Sequence, residues 1–339
     1  MIAERRRRAL TSMAEDDVDA LILGKEANVR YVSGARRLWL AGARPFAPGC
    51  VLVRETGDVH LLSVTDDGVP PDIAIENLYP ITWSPANLFG RLAVIPGLAA
   101  ARRIGVDGLT PLMDTLLSAT FPKAELVDGQ ALMVATRAQK LSAEVDCIRA
   151  AIGLAQQALG DVTAVARPGV RERDLLARFE QCMADLGTTT PAFEGTFGHR
   201  FPSDRVLTAG EPLVLDVGVL VDGYQGCLAR TVEVGEGDAS TAGPHDVLFD
   251  TLSAAVRPGA TGSDLWEVWD ASGVPRPSEP VAYGVGLGVE PPIIGPDTTE
   301  LSPGMTLSVR AEVDGWVRRD SVLVTDTGCA LLAPQTRDG

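Results

Sequence analysis

Histidine is scarce in this chain, with three among 339 residues, at positions 60, 199 and 245. A metal centre built on imidazole therefore has few ligands to draw on. The five cysteines (Cys50, Cys147, Cys182, Cys227 and Cys329) are odd in number and dispersed, with no CxxC pair. That pattern excludes a disulfide framework and a cysteine zinc site, and it implies reduced thiols in a cytoplasm. No apolar run approaches the roughly 18 residues of a membrane span. The basic start, Met-Ile-Ala-Glu-Arg-Arg-Arg-Arg-Ala-Leu, lacks the apolar centre of a signal peptide and reads as the first turns of an amphipathic helix. Positive charge is in deficit: 30 Lys and Arg stand against 45 Asp and Glu, a net −15. A nucleic-acid partner, which calls for a basic face, is not expected. The glycine runs are not phosphate loops, because no Lys-Ser/Thr follows and the strand–turn–helix setting is missing.

What remains is an ordinary soluble composition, 45% hydrophobic and 22% charged, long enough for a sizeable core. Residues 1–135 interleave strand-like runs (21–23, 51–53 and 59–62) with helical patterns near 3–16 and 109–120, which predicts an α/β domain. From Lys140 the pattern changes. A long amphipathic helix starts at Ser142, a plausible N-cap, and a second runs from about Glu172 to Leu186. Strand-rich sequence follows, with helix again near 244–256 and 262–271. Residues 136–339 are thus expected to form an α+β domain with helices on one face of an antiparallel sheet. No tandem repeat or low-complexity tract is present.

Two Asp-Gly pairs mark tight hairpins, because both central positions of such a turn need positive φ. Asp222-Gly223 pairs Val221 with Tyr224 and Gly218 with Cys227, which puts Asp216 on the same sheet face as Cys227 as a diagonal neighbour. Asp314-Gly315 pairs Val313 with Trp316, Glu312 with Val317, Ala311 with Arg318, and Arg310 with Arg319. Like charges directly opposite destabilise a sheet, so something anionic is expected beside Arg310 and Arg319.

The C-terminal half resembles the pita-bread fold of creatinase, prolidase, aminopeptidase P and methionine aminopeptidase. The stretches that carry the resemblance are Gly198-His-Arg-Phe-Pro-Ser-Asp-Arg205, Leu213-Val-Leu-Asp-Val-Gly followed by Asp-Gly-Tyr and Ala-Arg-Thr231, Gly284-Val-Gly-Leu287, and Ser302-Pro-Gly-Met-Thr-Leu followed by Asp320-Ser-Val-Leu-Val-Thr325. Asn28-Val-Arg-Tyr-Val-Ser-Gly34 is similar to the N-terminal domain of the creatinase and prolidase branch. Most members bind two divalent metals through two Asp, one His and two Glu. Here Asp216 matches the first aspartate, but Cys227 stands at the second, Tyr283 at the histidine, and Arg310 and Arg319 at the two glutamates. Arginine has no lone pair to offer a metal, and the five positions sum to about +1 by reference ionisation states. The resemblance therefore implies a site without metal or other cofactor.

Creatinase implies that a histidine can carry the proton transfers in such a site, which makes His199 the candidate general acid/base. A structural loop histidine is the competing reading, and His60 and His245 are expected at the surface. Arg310 and Arg319 form a fork for a carboxylate or phosphate, or else pair with internal acids. Asp216 holds one of them or takes a substrate amine. Cys227 is a nucleophile with a lowered pKa or a small buried filler. Tyr283 donates to a carbonyl or fills the space of the absent histidine. Glu290, in Gly288-Val-Glu-Pro-Pro292, is a second acid/base group at a glycine-proline rim, as in ectoine-hydrolase-like relatives, or a loop charge. Arg36, Arg37 and Trp39 match the segment that reaches the partner's site in creatinase-like dimers, so a homodimer with a shared site is expected, against a plain solvated loop.

Three functions follow in order. The first is a metal-independent hydrolase of the creatinase type, cleaving a C–N bond in a small anionic amino-acid-like molecule. The second is a non-catalytic relative that binds a peptide, metabolite or protein partner in the old pocket. The third, placed far behind, is an Xaa-Pro-type metallopeptidase.

Overall fold

A computed structural model describes residues 1–35, 49–63, 66–80, 84–235, 243–294 and 299–333. The chain divides into two units, Met1–Arg137 and Ala138–Gly339. In the first, strands β1 (Ala20–Leu23), β2 (Cys50–Val53), β3 (Val59–Leu62), β4 (Leu78–Tyr79), β5 (Arg103–Val106) and β6 (Glu125–Asp128) form one sheet in the order β4-β3-β2-β1-β5-β6. The sheet is mixed: β1 runs antiparallel to β2 and parallel to β5. Helices α1 (Ile2–Glu15), α2 (Glu26–Ser33), α3 (Pro85–Leu92), α4 (Pro111–Thr120) and α5 (Gly129–Ala138) interleave with these strands. Every residue of β1, β2 and β3 is buried. His60 lies within β3 at 7% exposure, which corrects the expectation of a surface histidine.

The second unit begins with α6 (Ser142–Val165) and α7 (Glu172–Asp185). Ser142 is the first helical residue of α6 and not its cap. The preceding Leu141 N–H is satisfied instead by Glu144, at 2.8 Å. An eight-stranded sheet follows: β7 (Thr196–Phe197), β8 (Pro212–Val221), β9 (Tyr224–Glu233), β10 (Ala282–Val285), β11 (Val289–Ile293), β12 (Thr306–Val313), β13 (Trp316–Val324) and β14 (Cys329–Leu331). Its order is β11-β10-β12-β13-β9-β8-β7, with β14 added to β13. Helices α8 (Pro244–Ala255) and α9 (Gly262–Ala271) complete the unit, which is the expected α+β arrangement.

Both Asp-Gly hairpins form in the expected register, Val221 opposite Tyr224 and Arg310 opposite Arg319. Asp222 and Asp314 have φ of 48° and 52°, and their glycines 83° and 80°. Alternation along the strands then sorts the side chains by face. On one face, Gly226 lets the α6 backbone approach so closely that a Cβ would sit 2.2 Å from the Ile152 nitrogen. On that face, too, the Arg318 guanidinium lies 4.1 Å from the centre of the Phe249 ring of α8. Leu307, Val309 and Ala311 of β12 join Phe249, Leu252 and Trp269 in the core beneath these helices. Asp216, Cys227, Arg310 and Arg319 take the opposite face. His245, at the start of α8, is 3% exposed, so it too departs from the expected surface position. Burial holds both this histidine and His60 below the ordinary imidazole value.

Candidate functional site

One row of paired residues crosses the sheet on the face away from the helices. Thr196 pairs with Asp216, Asp216 with Ala229, Ala229 with Arg319, and Arg319 with Arg310. Small Ala229 separates the acid from the guanidinium in this row, and the Arg319 side chain crosses over it to donate a hydrogen bond to Asp216 Oδ1. The other terminal nitrogen of Arg319 donates to the Tyr283 hydroxyl at 2.8 Å, and its guanidinium plane stands 4.8 Å from the centre of the Phe193 ring. Arg319 is 6% exposed, so this is a buried ion pair capped by two aromatic groups. Burial pushes the Asp216 carboxyl above its ordinary value, while Arg319 and Arg310 pull against that rise. Burial likewise raises the Tyr283 hydroxyl.

Arg310 points to other acids. Its terminal nitrogens lie 3.3 Å from Glu279 and 2.9 Å from Glu312. The anionic neighbours that the opposed arginines required are therefore internal, and Arg319 already has both terminal nitrogens engaged. Arg310 is the more open of the two, with 18% of its side chain exposed, beside a half-exposed Glu279. Arg200 is exposed and adds a weaker pull against the rise of the Asp216 carboxyl, so the loop after β7 is within electrostatic reach of the row.

Cys227 is 1% exposed, and burial pushes its thiol up to about 11. The nucleophile reading expected a lowered value, and the structure corrects it: desolvation outweighs the pull of Arg319. A Cβ on the paired Gly218 would meet Phe193, Cys227 and Ala192 between 2.7 and 3.1 Å, so the thiol fills a tight space. Glu290 is also corrected. It is 4% exposed, and its Oε2 pairs with Lys140 at 2.9 Å with both side chains buried. Gly286 packs against the same carboxylate, where a Cβ would meet Oε1 at 2.7 Å. A buried ion pair of this kind is not a rim acid.

His199 lies in the loop after β7, with 63% of its side chain exposed. Its Nδ1 faces Oε1 of Glu172 at 2.5 Å. Glu172, the first residue of α7, is wholly buried, and sequence reasoning missed it. It also accepts from Arg205 Nε at 2.7 Å, from the Ser203 N–H at 3.1 Å and from the Ser203 hydroxyl at 3.0 Å. Burial pushes this carboxyl up, but the hydrogen bonds from His199, Arg205 and Ser203 win and hold it at about 2. Arg36, Arg37 and Trp39 lie outside the described residues.

The five positions do not fit a dinuclear metal centre. Asp216 is the only carboxylate among them and it is paired to Arg319. Tyr283 accepts from the same guanidinium, and the Cys227 thiol is neutral near pH 7. No cluster of three or more His, Cys, Asp or Glu able to hold a metal occurs among the described residues.

Comparison with known proteins identifies the scaffold. Residues 146–327 match metallopeptidase family M24, and residues 5–139 match the creatinase/prolidase N-terminal domain. An Xaa-Pro dipeptidase of Pyrococcus horikoshii is 24% identical over 99% of this chain and 98% of its own length. One of Pyrococcus furiosus is 24% identical over 99% of each. Among solved structures, the prolidase of Pyrococcus horikoshii OT3 superposes with a TM-score of 0.79 at 20% identity, covering 99% of both chains. The X-Pro aminopeptidase of Thermotoga maritima MSB8 gives 0.80 at 18% identity, covering 98% of both. These full-length relatives overturn the expectation of a metal-independent, creatinase-type hydrolase of a small C–N substrate. They favour the peptidase branch, the third of the functions expected from sequence.

Proposed function

From the premise that this chain belongs to metallopeptidase family M24 and carries a creatinase/prolidase N-terminal domain, we propose that it holds a short zwitterionic peptide of the Xaa-Pro class on the Arg319 face of its C-terminal sheet. The ligand class comes from the relatives, which are named Xaa-Pro dipeptidases. The observation that carries the reading is the buried Arg319–Asp216 pair at positions where the resemblance puts metal ligands. Around that pair, three arginines (Arg200, Arg310, Arg319) meet three acids (Asp216, Glu279, Glu312), a set with no net formal charge. Such a set suits a ligand with both an ammonium and a carboxylate. The carboxylate goes to Arg310 and Arg200, since guanidinium matches its geometry, and the ammonium to Glu279. Binding is the function these residues support. A homodimer with a shared site and a cytoplasmic location belong to the same proposal, supported by the resemblance to creatinase-like dimers and the dispersed cysteines.

A second reading, a working Xaa-Pro metallopeptidase, is favoured by the names of relatives that match along the whole chain. Titration calorimetry with Ala-Pro in EDTA, alongside a proline-release assay with added Mn2+, separates the two. Binding in EDTA with no proline released supports the first reading. Proline release that requires Mn2+ establishes the second, and no binding under either condition removes the peptide reading.

A further inference from the structure

We infer that Glu172 is the positioning residue for His199, fixing its tautomer so that Nε2 is presented outward as a hydrogen-bond acceptor for the ligand. The inference deepens the peptide reading and rests on it for the identity of the ligand. Glu172 faces the Ser203 N–H, the Ser203 hydroxyl and the Arg205 Nε–H, besides the imidazole. A wholly buried carboxylate with these partners is ionised, and an ionised carboxylate accepts only. The proton of the His199–Glu172 hydrogen bond therefore belongs to Nδ1. In the neutral ring the lone pair is then on Nε2. With 63% of the side chain exposed, that lone pair is open to a donor. On a zwitterionic Xaa-Pro dipeptide the available donor is the ammonium, whose three hydrogens are shared between Glu279 and Nε2, because the proline nitrogen of the peptide bond carries no hydrogen.

The backbone is shaped for this contact. Gly198 has φ of +86°, and a Cβ there would stand 2.6 Å from Glu172 Oε1 and 2.9 Å from the Arg205 guanidinium. A side chain at 198 would be strained at this φ and would have to displace the Glu172 carboxylate or the Arg205 guanidinium. The loop is held to its neighbours at three more points: Gly198 N to Val214 O at 2.7 Å, Glu172 N to Arg205 O at 3.1 Å, and Arg173 N to Ser203 O at 3.1 Å. Arg200, one residue after His199, is among the charges that act on Asp216, which brings this loop within electrostatic reach of the Arg319–Asp216 pair.

The competing explanation is that Glu172 only staples the loop. The test therefore reads the imidazole itself, through 15N chemical shifts of protein labelled at histidine near neutral pH, with buried His60 and His245 as internal references. Wild type is expected to show the Nδ1–H form at His199. In Glu172→Gln, one amide oxygen must serve all these donors, and an NH2 turned to Nδ1 selects the opposite tautomer; Ala-Pro affinity should fall about tenfold, the scale of one hydrogen bond. Arg205→Lys loosens the staple but keeps the carboxylate, so it should leave the tautomer in place. Glu172→Asp, which retracts the carboxylate, replaces Glu172→Gln if that variant fails to fold, with the same shift expected. An unchanged tautomer in the Glu172 variant, an equal shift in Arg205→Lys, or a shifted tautomer with undiminished affinity each overturns the inference. A wild type that binds no Ala-Pro removes the peptide reading, while the 15N shifts still decide whether Glu172 sets the ring.

Discussion

Arg310 and Arg319 stand directly opposite in the β12–β13 register, yet different acids hold their guanidiniums. Arg319 turns across Ala229 to Asp216, while Arg310 turns to Glu279 and Glu312. Paired strand positions put the two side chains on one face, and their length lets the charges diverge to separate partners. The cost of like charges opposite each other is met inside the protein, and one of the two arginines stays open to solvent.

Removing one partner of the Arg319–Asp216 pair should be costly, because it strands a buried charge. Arg319→Met is expected to lose about 3–5 kcal/mol in urea unfolding. In the double variant Arg319→Met with Asp216→Leu, the loss should be smaller than the sum of the single losses, by a coupling of about 1–3 kcal/mol. Strict additivity would mean that the two groups do not interact.

Lys140 and Glu290 make a second test of the same physics. Glu290→Gln should destabilise by about 3–5 kcal/mol, since the Lys140 side chain is only 3% exposed. If Glu290 were instead a rim acid, the change would fall within about 0.5 kcal/mol, the range of surface substitutions.

The Asp314-Gly315 turn sets the register of the hairpin that carries both arginines. A Cβ at Gly315 meets nothing within 4 Å, so Gly315→Ala isolates the cost of φ at 80°. A loss of about 1 kcal/mol in thermal or urea unfolding is expected. No loss would imply that the turn relaxes to another type.

Acid stability should report on Glu172. Its folded pKa, about 2, lies below its ordinary value of 4.5. Stability from this group is therefore complete above pH 4.5 and is lost as pH falls towards 2. With His199 and Arg205 in contact with solvent, screening leaves a contribution of about 2 kcal/mol. Unfolding free energies of wild type and Glu172→Gln, measured between pH 6 and pH 2.5, should converge as pH drops. A constant gap across that window would contradict this assignment.

Much of this architecture was legible in the sequence because it rests on local rules. Asp222-Gly223 and Asp314-Gly315 specify positive φ, and strand alternation then places Asp216, Cys227, Arg310 and Arg319 on one face. The misses share a different cause. Glu172 sits among Arg171, Arg173 and Asp174, a run that reads as a solvated helix start, and only the return of the loop 27 residues later buries it. Glu290 follows glycines that suggest a rim, but Gly286 serves to let its carboxylate pack inward towards Lys140. His60 carried a usable signal, since it stands between Val59 and Leu61-Leu62 in a wholly apolar strand. Glu279 and Phe193 lie outside every quoted motif, and only the fold brings them to Arg310 and Arg319. Relatedness to Xaa-Pro dipeptidases along the chain, and not the residues of the site, redirected the expected ligand from a small anion to a peptide.

A guanidinium–carboxylate pair stands where the resemblance puts metal ligands of the family. The most direct test of that placement is metal content by mass spectrometry, after the purified protein has been incubated with Mn2+ or Co2+ and desalted, with Ala-Pro hydrolysis followed on the same samples. Substoichiometric metal, no proline release, and the same outcome with and without prior EDTA treatment are expected. Two metal ions per chain together with Mn2+-dependent proline release would contradict that placement.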